Sequence, residues 1–176
     1  MQLVILEDNI SNIIKFLGEL SSAVRIKAIL YFDNSSEEIK LCDKDKDALQ
    51  SMGLVDKIRH TDTMNIYDLL EEYFADSEVI FLFDVDLQGT NQRLPRKHQI
   101  AFANTKIKQD EKNRERFFVY STALTQDQKT ALAKMFGNYY IYAISDPNSI
   151  ETVDVIYYKK NKEFCRIFNI EEETNE

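Results

Sequence analysis

Short runs of aliphatic, β-branched and aromatic residues recur along the chain, and each run ends in polar residues. Continuous apolar runs of this kind are typical of parallel strands whose two faces are both covered. The runs predict strands at about residues 2–8, 26–32, 79–84, 117–120 and 139–144. Residues 58–63 fit either a short extra strand or a loop.

Between these runs, apolar residues recur at the three- and four-residue spacing of helices. The predicted helices begin after a cap at Asn9 or Ser11, within residues 35–52, along the stripe 66–74, at 126–136 and after Asn148. Thr125 and Gln128 have the spacing of a capping box. Strands alternating with helices indicate right-handed βαβ units, and hence an α/β three-layer sandwich with a central parallel sheet of about five strands.

Length and composition narrow the class of protein. The 176 residues fit one domain, which we place at residues 1–170, followed by an acidic tail at 171–176. The net charge of −8 argues against nucleic-acid and membrane-surface partners. No apolar run reaches the roughly 20 residues that span a bilayer. Two cysteines give no disulfide framework and the N-terminus has no secretory pattern, so we expect a cytoplasmic protein.

Carboxylates stand at the ends of two predicted strands. Glu7 and Asp8 follow the first strand, and Asp84 and Asp86 follow the strand at 79–84. Ligands of open α/β sheets bind at the carboxyl ends of the strands. If these two strands are neighbours, Glu7, Asp8 and Asp84 repel one another at one point, and a hard cation such as Mg²⁺ relieves the repulsion. The plainer interpretation is that they are solvated loop residues or helix caps.

Three segments of the chain resemble the receiver domain of two-component response regulators. Residues 6–12, Leu-Glu-Asp-Asn-Ile-Ser-Asn, are similar to a motif at the end of the first receiver strand. Residues 83–89 carry an aspartate followed by Leu87 and Gly89, and residues 119–123 end a strand in Thr-Ala. Their order and strand-end placement match the family over most of the chain. The resemblance implies a receiver or flavodoxin-like fold.

The resemblance also implies roles for individual residues. Asp84 would accept a phosphoryl group from phosphohistidine, and Glu7, Asp8 and Asp84 would hold Mg²⁺ together with the backbone carbonyl of Asp86. Thr122 would donate its hydroxyl to the phosphoryl oxygens. The implied partners are a histidine kinase or phosphotransfer protein and an output protein. We therefore expect a stand-alone, atypical receiver that acts in a phosphorelay through protein–protein contact, rather than an enzyme.

The chain departs from the family at two places. The family has Lys-Pro after its last core strand, whereas this chain has Asp146-Pro147. We therefore expect slow phosphorylation, with another cation in place of the lysine or with Asp146 turned outward to cap the helix at Asn148. The cations nearest in sequence are Lys106, Lys108 and the cluster 93–97. The stretch from Asp8 to Asp84 is also longer than in a typical receiver, which places an insertion at about 35–65.

A second resemblance uses the same carboxylates for a different chemistry. Glu7 with Asp84, Asp86 and the later Gly89 looks like the Toprim pattern, in which metal-bound carboxylates drive phosphodiester chemistry. The alternative function is thus a Toprim-like, Mg²⁺-dependent phosphotransfer or nuclease domain. Thr122-Ala123 has no part in that pattern.

The segment from Arg93 to Arg116 is basic in an otherwise acidic chain, with eight basic and three acidic residues. It is either an ordinary solvated surface or a docking patch beside the carboxylates for an acidic or phosphate-bearing partner.

Overall fold

Five strands pair into one parallel sheet in the computed structural model, which describes residues 1–35, 41–87, 93–122, 124–149 and 153–173. The strands are β1 (Gln2–Glu7), β2 (Arg25–Phe32), β3 (Ile58–Thr61), β4 (Val79–Asp84) and β5 (Phe117–Tyr120). Their order across the sheet is β3-β2-β1-β4-β5. The part β2-β1-β4-β5 follows the doubly wound, flavodoxin-like order, and β3 is added at the outer edge of β2.

Helices cover both faces of this sheet, which confirms the predicted α/β sandwich. The helices are α1 (Ile10–Glu19), α2 (Asp43–Ser51), α3 (Ile66–Phe74), α4 (His98–Gln109), α5 (Gln126–Phe136) and α6 (Lys162–Phe168). Buried residues of α1, α2 and α6 pack on one face, and buried residues of α3, α4 and α5 pack on the other. Strand residues alternate between the two clusters, because successive side chains of a strand point to opposite faces.

Local signals fix the ends of several helices where the sequence predicts them. The Asn9 side chain accepts hydrogen bonds from the backbone N–H groups of Ser11 and Asn12, so Asn9 is the cap of α1. Both hydrogen bonds of the Thr125 and Gln128 capping box are present at the start of α5. Gly137 ends that helix with a φ of 57°, a left-handed conformation that glycine adopts without strain.

At one edge of the sheet, residues 58–61 adopt the strand alternative of the prediction: they form β3 and pair with β2. The other edge differs from the prediction. The predicted strand at 139–144 does not join the sheet as a full strand. It contributes one hydrogen bond of 2.8 Å from the Ile141 N–H to the Val119 carbonyl, and a single parallel bridge between Val119 and Tyr140. The chain then leaves the sheet edge, because the next residues pair elsewhere.

Those next residues form a hairpin where the sequence predicted a strand followed by a helix. Strand β6 (Ala143–Ser145) pairs antiparallel with β7 (Asp154–Ile156). The predicted helix after Asn148 is wrong over residues 154–156, which are extended. Its apolar positions Val153 and Ile156 fit helical spacing, but so short a run does not distinguish the two periods. The hairpin packs on α1, and Ile156 joins the cluster on that face.

The basic segment runs along the strands, from the carboxyl end of the sheet to its amino end. Its start, at Lys97, lies near the carboxyl end of β4, whereas the Arg116 guanidinium donates to the carbonyls of Phe74, Asp76 and Val79 at the opposite end. Lys106 forms an ion pair of 2.8 Å with Glu71. The expectation that the whole segment lies beside the carboxylates is therefore wrong, and several of its charges serve packing.

Gly89 and Ala123, which belong to the family patterns discussed above, lie outside the described residues. So do residues 150–152 of the helix predicted after Asn148 and residues 174–176 at the end of the acidic tail. Over the described part of the chain, no helix is both long and apolar enough to cross a membrane.

Candidate functional site

Strand register brings three polar side chains side by side at the carboxyl edge of the sheet. Leu6 pairs with Phe83, so Glu7 and Asp84 follow as the next neighbours on β1 and β4. Asp84 in turn pairs with Tyr120 of β5. All three residues follow the alternation that points toward the face covered by α1 and α6. The row is buried: Glu7 is 1% exposed, Asp84 is 5% exposed and Tyr120 is 1% exposed.

The expected convergence of carboxylates is present. One carboxylate oxygen from each of Glu7, Asp8 and Asp84 lies within 4.8 Å of the others. We call these three residues the acidic cluster. Oxygen ligands at such separations are what a hard divalent cation requires, so the acidic cluster could hold a metal ion.

Hydrogen bonds hold the buried members of the acidic cluster in place. The backbone N–H groups of Asp8 and Asn9 donate to Glu7 Oε1 at 3.0 and 3.2 Å. The Tyr120 hydroxyl donates to Glu7 Oε2. The Asp86 N–H donates to Asp84 Oδ1 at 2.9 Å. These donors orient the carboxylates before any ligand arrives, since none of them requires a cation.

Burial makes ionisation of Glu7 and Asp84 unfavourable. Desolvation raises the pKa of Glu7 from 4.5 to about 8, and the neighbouring Asp8 carboxylate adds to the rise. Desolvation also raises the pKa of Asp84 well above its ordinary value, with the charge of Glu7 as the next cause. Because the carboxyl groups of Glu7 and Asp84 adjoin, one proton shared between them is favoured over two negative charges. A metal ion at this place therefore competes with a proton.

The side chain of Asp86 lies at the rim, outside the acidic cluster, whereas the expected role of its backbone carbonyl as a metal ligand stays a prediction. Its side chain is 51% exposed, and its Oδ1 is 3.8 Å from Lys97 Nζ. Lys97 is itself buried, with a side chain only 7% exposed. Two residues later, the Gln99 side chain donates to the carbonyls of Asp84 and Val85 at 2.8 and 3.0 Å. These contacts fix the start of α4 against the chain that leaves β4.

Thr122 stands two residues beyond Tyr120, the partner of Asp84 on the neighbouring strand. Its hydroxyl donates to Asp154 Oδ1 at 3.1 Å. Asp154 begins β7 and is 9% exposed. The Asn12 side chain donates to Asp154 Oδ2 at 3.0 Å and accepts from the Asp154 N–H at 2.8 Å. The hairpin thus delivers a third buried carboxylate, after Glu7 and Asp84, to this end of the sheet.

Asp146, which stands where the receiver family has lysine, makes its contacts within the hairpin and with α1. One carboxylate oxygen accepts from the Asn148 N–H at 2.9 Å, and the other is 3.8 Å from Lys15 Nζ. The carboxylate closes a turn at Asn148, and residues 147–149 are not helical. Its charge is offset locally by Lys15.

Sequence patterns identified the acidic cluster, Asp86 and Thr122, but assigned no role to Tyr120, Asn12 or Asp154. Tyr120 belongs to a predicted strand, and its period-two alternation with Phe118 was the available signal that it shares a face with Asp84. Asn12 closes the first receiver-like motif. No local signal marked Asp154, because it was predicted to lie in a helix and its partners are far away in sequence.

No protein-family model matches the chain, and no curated protein or solved structure shows significant similarity to it. The fold and the acidic cluster are therefore the observations on which a function can be argued.

Proposed function

We propose that the chain is a receiver-like signalling module in which Asp84 accepts a phosphoryl group. Its cofactor is Mg²⁺, and its partners are a phosphohistidine-bearing kinase or phosphotransfer protein and an output protein that it contacts. The observation that carries the proposal is the convergence of Glu7, Asp8 and Asp84 on neighbouring strands. Thr122 supports it, since it follows β5, the next strand in the sheet.

The chemistry follows from the surroundings of Asp84. A carboxylate oxygen of Asp84 forms a bond to phosphorus while the P–N bond to the donor imidazole breaks, and the electron pair returns to that nitrogen. Mg²⁺ would be held by Glu7, Asp8 and Asp84 and would offset the charge that develops on the phosphoryl oxygens. Burial raises the pKa of Asp84, and a cation held by these residues would favour its ionised, nucleophilic form. The proposed module undergoes this phosphoryl transfer and needs to catalyse no further reaction.

The missing family lysine leaves room for another cation. Of the basic residues near in sequence, Lys106 is engaged by Glu71, whereas Lys97 lies against Asp86 and is buried at the start of α4. The loose 3.8 Å contact of Lys97 with a half-exposed carboxylate leaves its ammonium group able to turn toward a new anion. Lys97 is the cation that we assign to this role.

The Toprim-like alternative is less well supported by the geometry. It requires Asp86 to share a metal with Glu7 and Asp84, but the acidic cluster includes Asp8 rather than Asp86. The Asp86 carboxylate instead faces Lys97. We therefore favour phosphoryl acceptance over phosphodiester chemistry.

The experiment is incubation with acetyl phosphate and Mg²⁺, followed by intact-mass spectrometry. We expect slow gain of one phosphoryl group, dependent on Mg²⁺ and abolished by Asp84→Asn. Asp127→Asn, which removes an exposed carboxylate at the start of α5, is the matched control and should behave like the unchanged chain. Absence of Mg²⁺ binding together with absence of phosphorylation in every variant would defeat the proposal.

A further inference from the structure

Asp154 is an anion fixed beside the acidic cluster, and its contacts set it apart from an ordinary surface carboxylate. It is 9% exposed, and both of its oxygens accept hydrogen bonds from buried or half-buried side chains, those of Thr122 and Asn12. Its own N–H donates back to Asn12. These contacts join β7, α1 and the end of β5, so the carboxylate has a defined position.

The hydrogen bonds to Thr122, which follows β5, and to Asn12, which lies in the first turn of α1, place this carboxylate at the carboxyl end of the sheet. Burial raises the pKa of Asp154, and the charges of Asp8 and Asp86 act in the same direction. The charge of Asp154 contributes in turn to the raised pKa of Tyr120. The charge of Asp154 therefore interacts with groups at the ends of β4, which carries Asp84, and of its two neighbours β1 and β5.

Thr122 has one hydroxyl proton, and it is donated in the hydrogen bond to Asp154. A phosphoryl oxygen on Asp84 could accept that proton only after the bond to Asp154 breaks, and the two anions would also repel each other. We propose that Asp154 competes with the phosphoryl group for the hydroxyl of Thr122. By accepting the hydrogen bond from that hydroxyl, Asp154 restrains phosphorylation of Asp84. This inference rests on the proposed function and extends it to a residue that acts through Thr122.

The test compares phosphorylation rates by acetyl phosphate and Mg²⁺ in the unchanged chain and in Asp154→Asn. The new amide keeps both partners: its oxygen accepts from Asn12, and its N–H donates to the Thr122 oxygen, which releases the Thr122 proton. The backbone hydrogen bond to Asn12 is unaffected. Because a hydrogen bond to a charged group is lost and a charge is removed, we expect phosphorylation to be faster by about tenfold or more.

The matched control is Asp146→Asn, which removes the same charge from the same hairpin. Asp146 faces Lys15 and the turn at Asn148, not Thr122. Its effect on the rate should stay within about twofold, as expected of a screened charge. If both substitutions accelerate phosphorylation equally, the effect of Asp154 comes from net charge alone, and the inference is overturned.

Thr122→Val distinguishes competition for the hydroxyl from a structural role of Asp154. In the unchanged chain the hydroxyl is already occupied, so Thr122→Val should leave the slow rate nearly unaltered. In Asp154→Asn the same substitution should remove the acceleration. If Thr122→Val in the unchanged chain greatly lowers the phosphorylation rate, the hydroxyl is free to donate to the phosphoryl group and the inference is overturned. This measurement does not depend on whether Asp154→Asn folds.

The outcomes separate the inference from the proposed function. Phosphorylation of Asp84 at the same rate with and without Asp154 overturns the inference alone. Phosphorylation that becomes measurable only in Asp154→Asn supports both. Failure of every variant, including Asp154→Asn, to bind Mg²⁺ and to accept a phosphoryl group overturns both.

Discussion

Replacement of Asp84 by asparagine should stabilise the metal-free protein, although it removes the proposed phosphoacceptor. Glu7 and Asp84 are buried side by side, and each resists ionisation. In Asp84→Asn the amide oxygen still accepts from the Asp86 N–H, while the amide N–H donates to Glu7 without needing a proton. The substitution therefore relieves a repulsion and keeps the local hydrogen bonds.

The size of the effect follows from the burial of Asp84. Desolvation and the charge of Glu7 raise the pKa of Asp84 well above its ordinary value, so ionisation of Asp84 in the folded state is costly. A neutral amide at this position recovers part of that cost, about 1–3 kcal/mol. For a domain of this size, that gain raises the melting temperature by about 2–12 °C.

The assay is thermal unfolding of both chains in chelator at pH 8 and at pH 5, followed by circular dichroism. The gain should be largest at pH 8 and small at pH 5, where the unchanged chain retains the shared proton. Asp68→Asn, an exposed charge on α3, is the control and should change little at either pH. Added Mg²⁺ should raise the melting temperature of the unchanged chain more than that of Asp84→Asn. A lower melting temperature for Asp84→Asn, or a gain independent of pH, would refute carboxylate repulsion.

Three further outcomes are expected. In chelator, the contribution of Glu7 to the free energy of unfolding should fall as pH rises from about 4.5 to about 8, because the folded state holds a proton that the unfolded state has released. Urea unfolding should show this as a slope of at most about 1.4 kcal/mol per pH unit per proton, opposed by Mg²⁺. Arg116→Met should lower the free energy of unfolding by about 1–3 kcal/mol, since three backbone carbonyls lose a donor, whereas exposed Arg93→Met should be nearly neutral. Thr125→Ala should cost about 1 kcal/mol through loss of the capping box, by the same assay.

The parts of the fold that the sequence predicted are those in which local pattern and tertiary environment agree. Strands β1, β2, β4 and β5 are continuous apolar runs, and both faces of each are covered, so their pattern needs no knowledge of their neighbours. The capping box of α5 is likewise a local signal. Strand β3 was ambiguous because Ile58–Thr61 is short and contains Arg59 and His60, which suit an edge and a loop equally well.

The candidate site, like the fold, could be predicted where it depends on local patterns in the sequence. Glu7, Asp8 and Asp84 were recoverable because they end two strong strands, and the order of the sheet makes those strands adjacent. Asp86 was harder to place, since spacing of two along the chain does not distinguish a ligand from a residue at the rim. Its ion pair with Lys97 comes from α4, whose position relative to β4 depends on packing rather than on any local pattern.

Asp154 marks the limit of sequence reasoning most clearly. Its partner Asn12 is 142 positions away, and the pair forms only after β7 returns antiparallel to β6 and docks on α1. The sequence predicted a helix there, which would have given Asp154 no consistent partner. Asp146 and Asp154 lie in the same hairpin, yet of these two only Asp154 forms a hydrogen bond with Thr122. From sequence alone the charge reversal at Asp146 was the expected obstacle to phosphorylation, whereas we propose that Asp154 has that role.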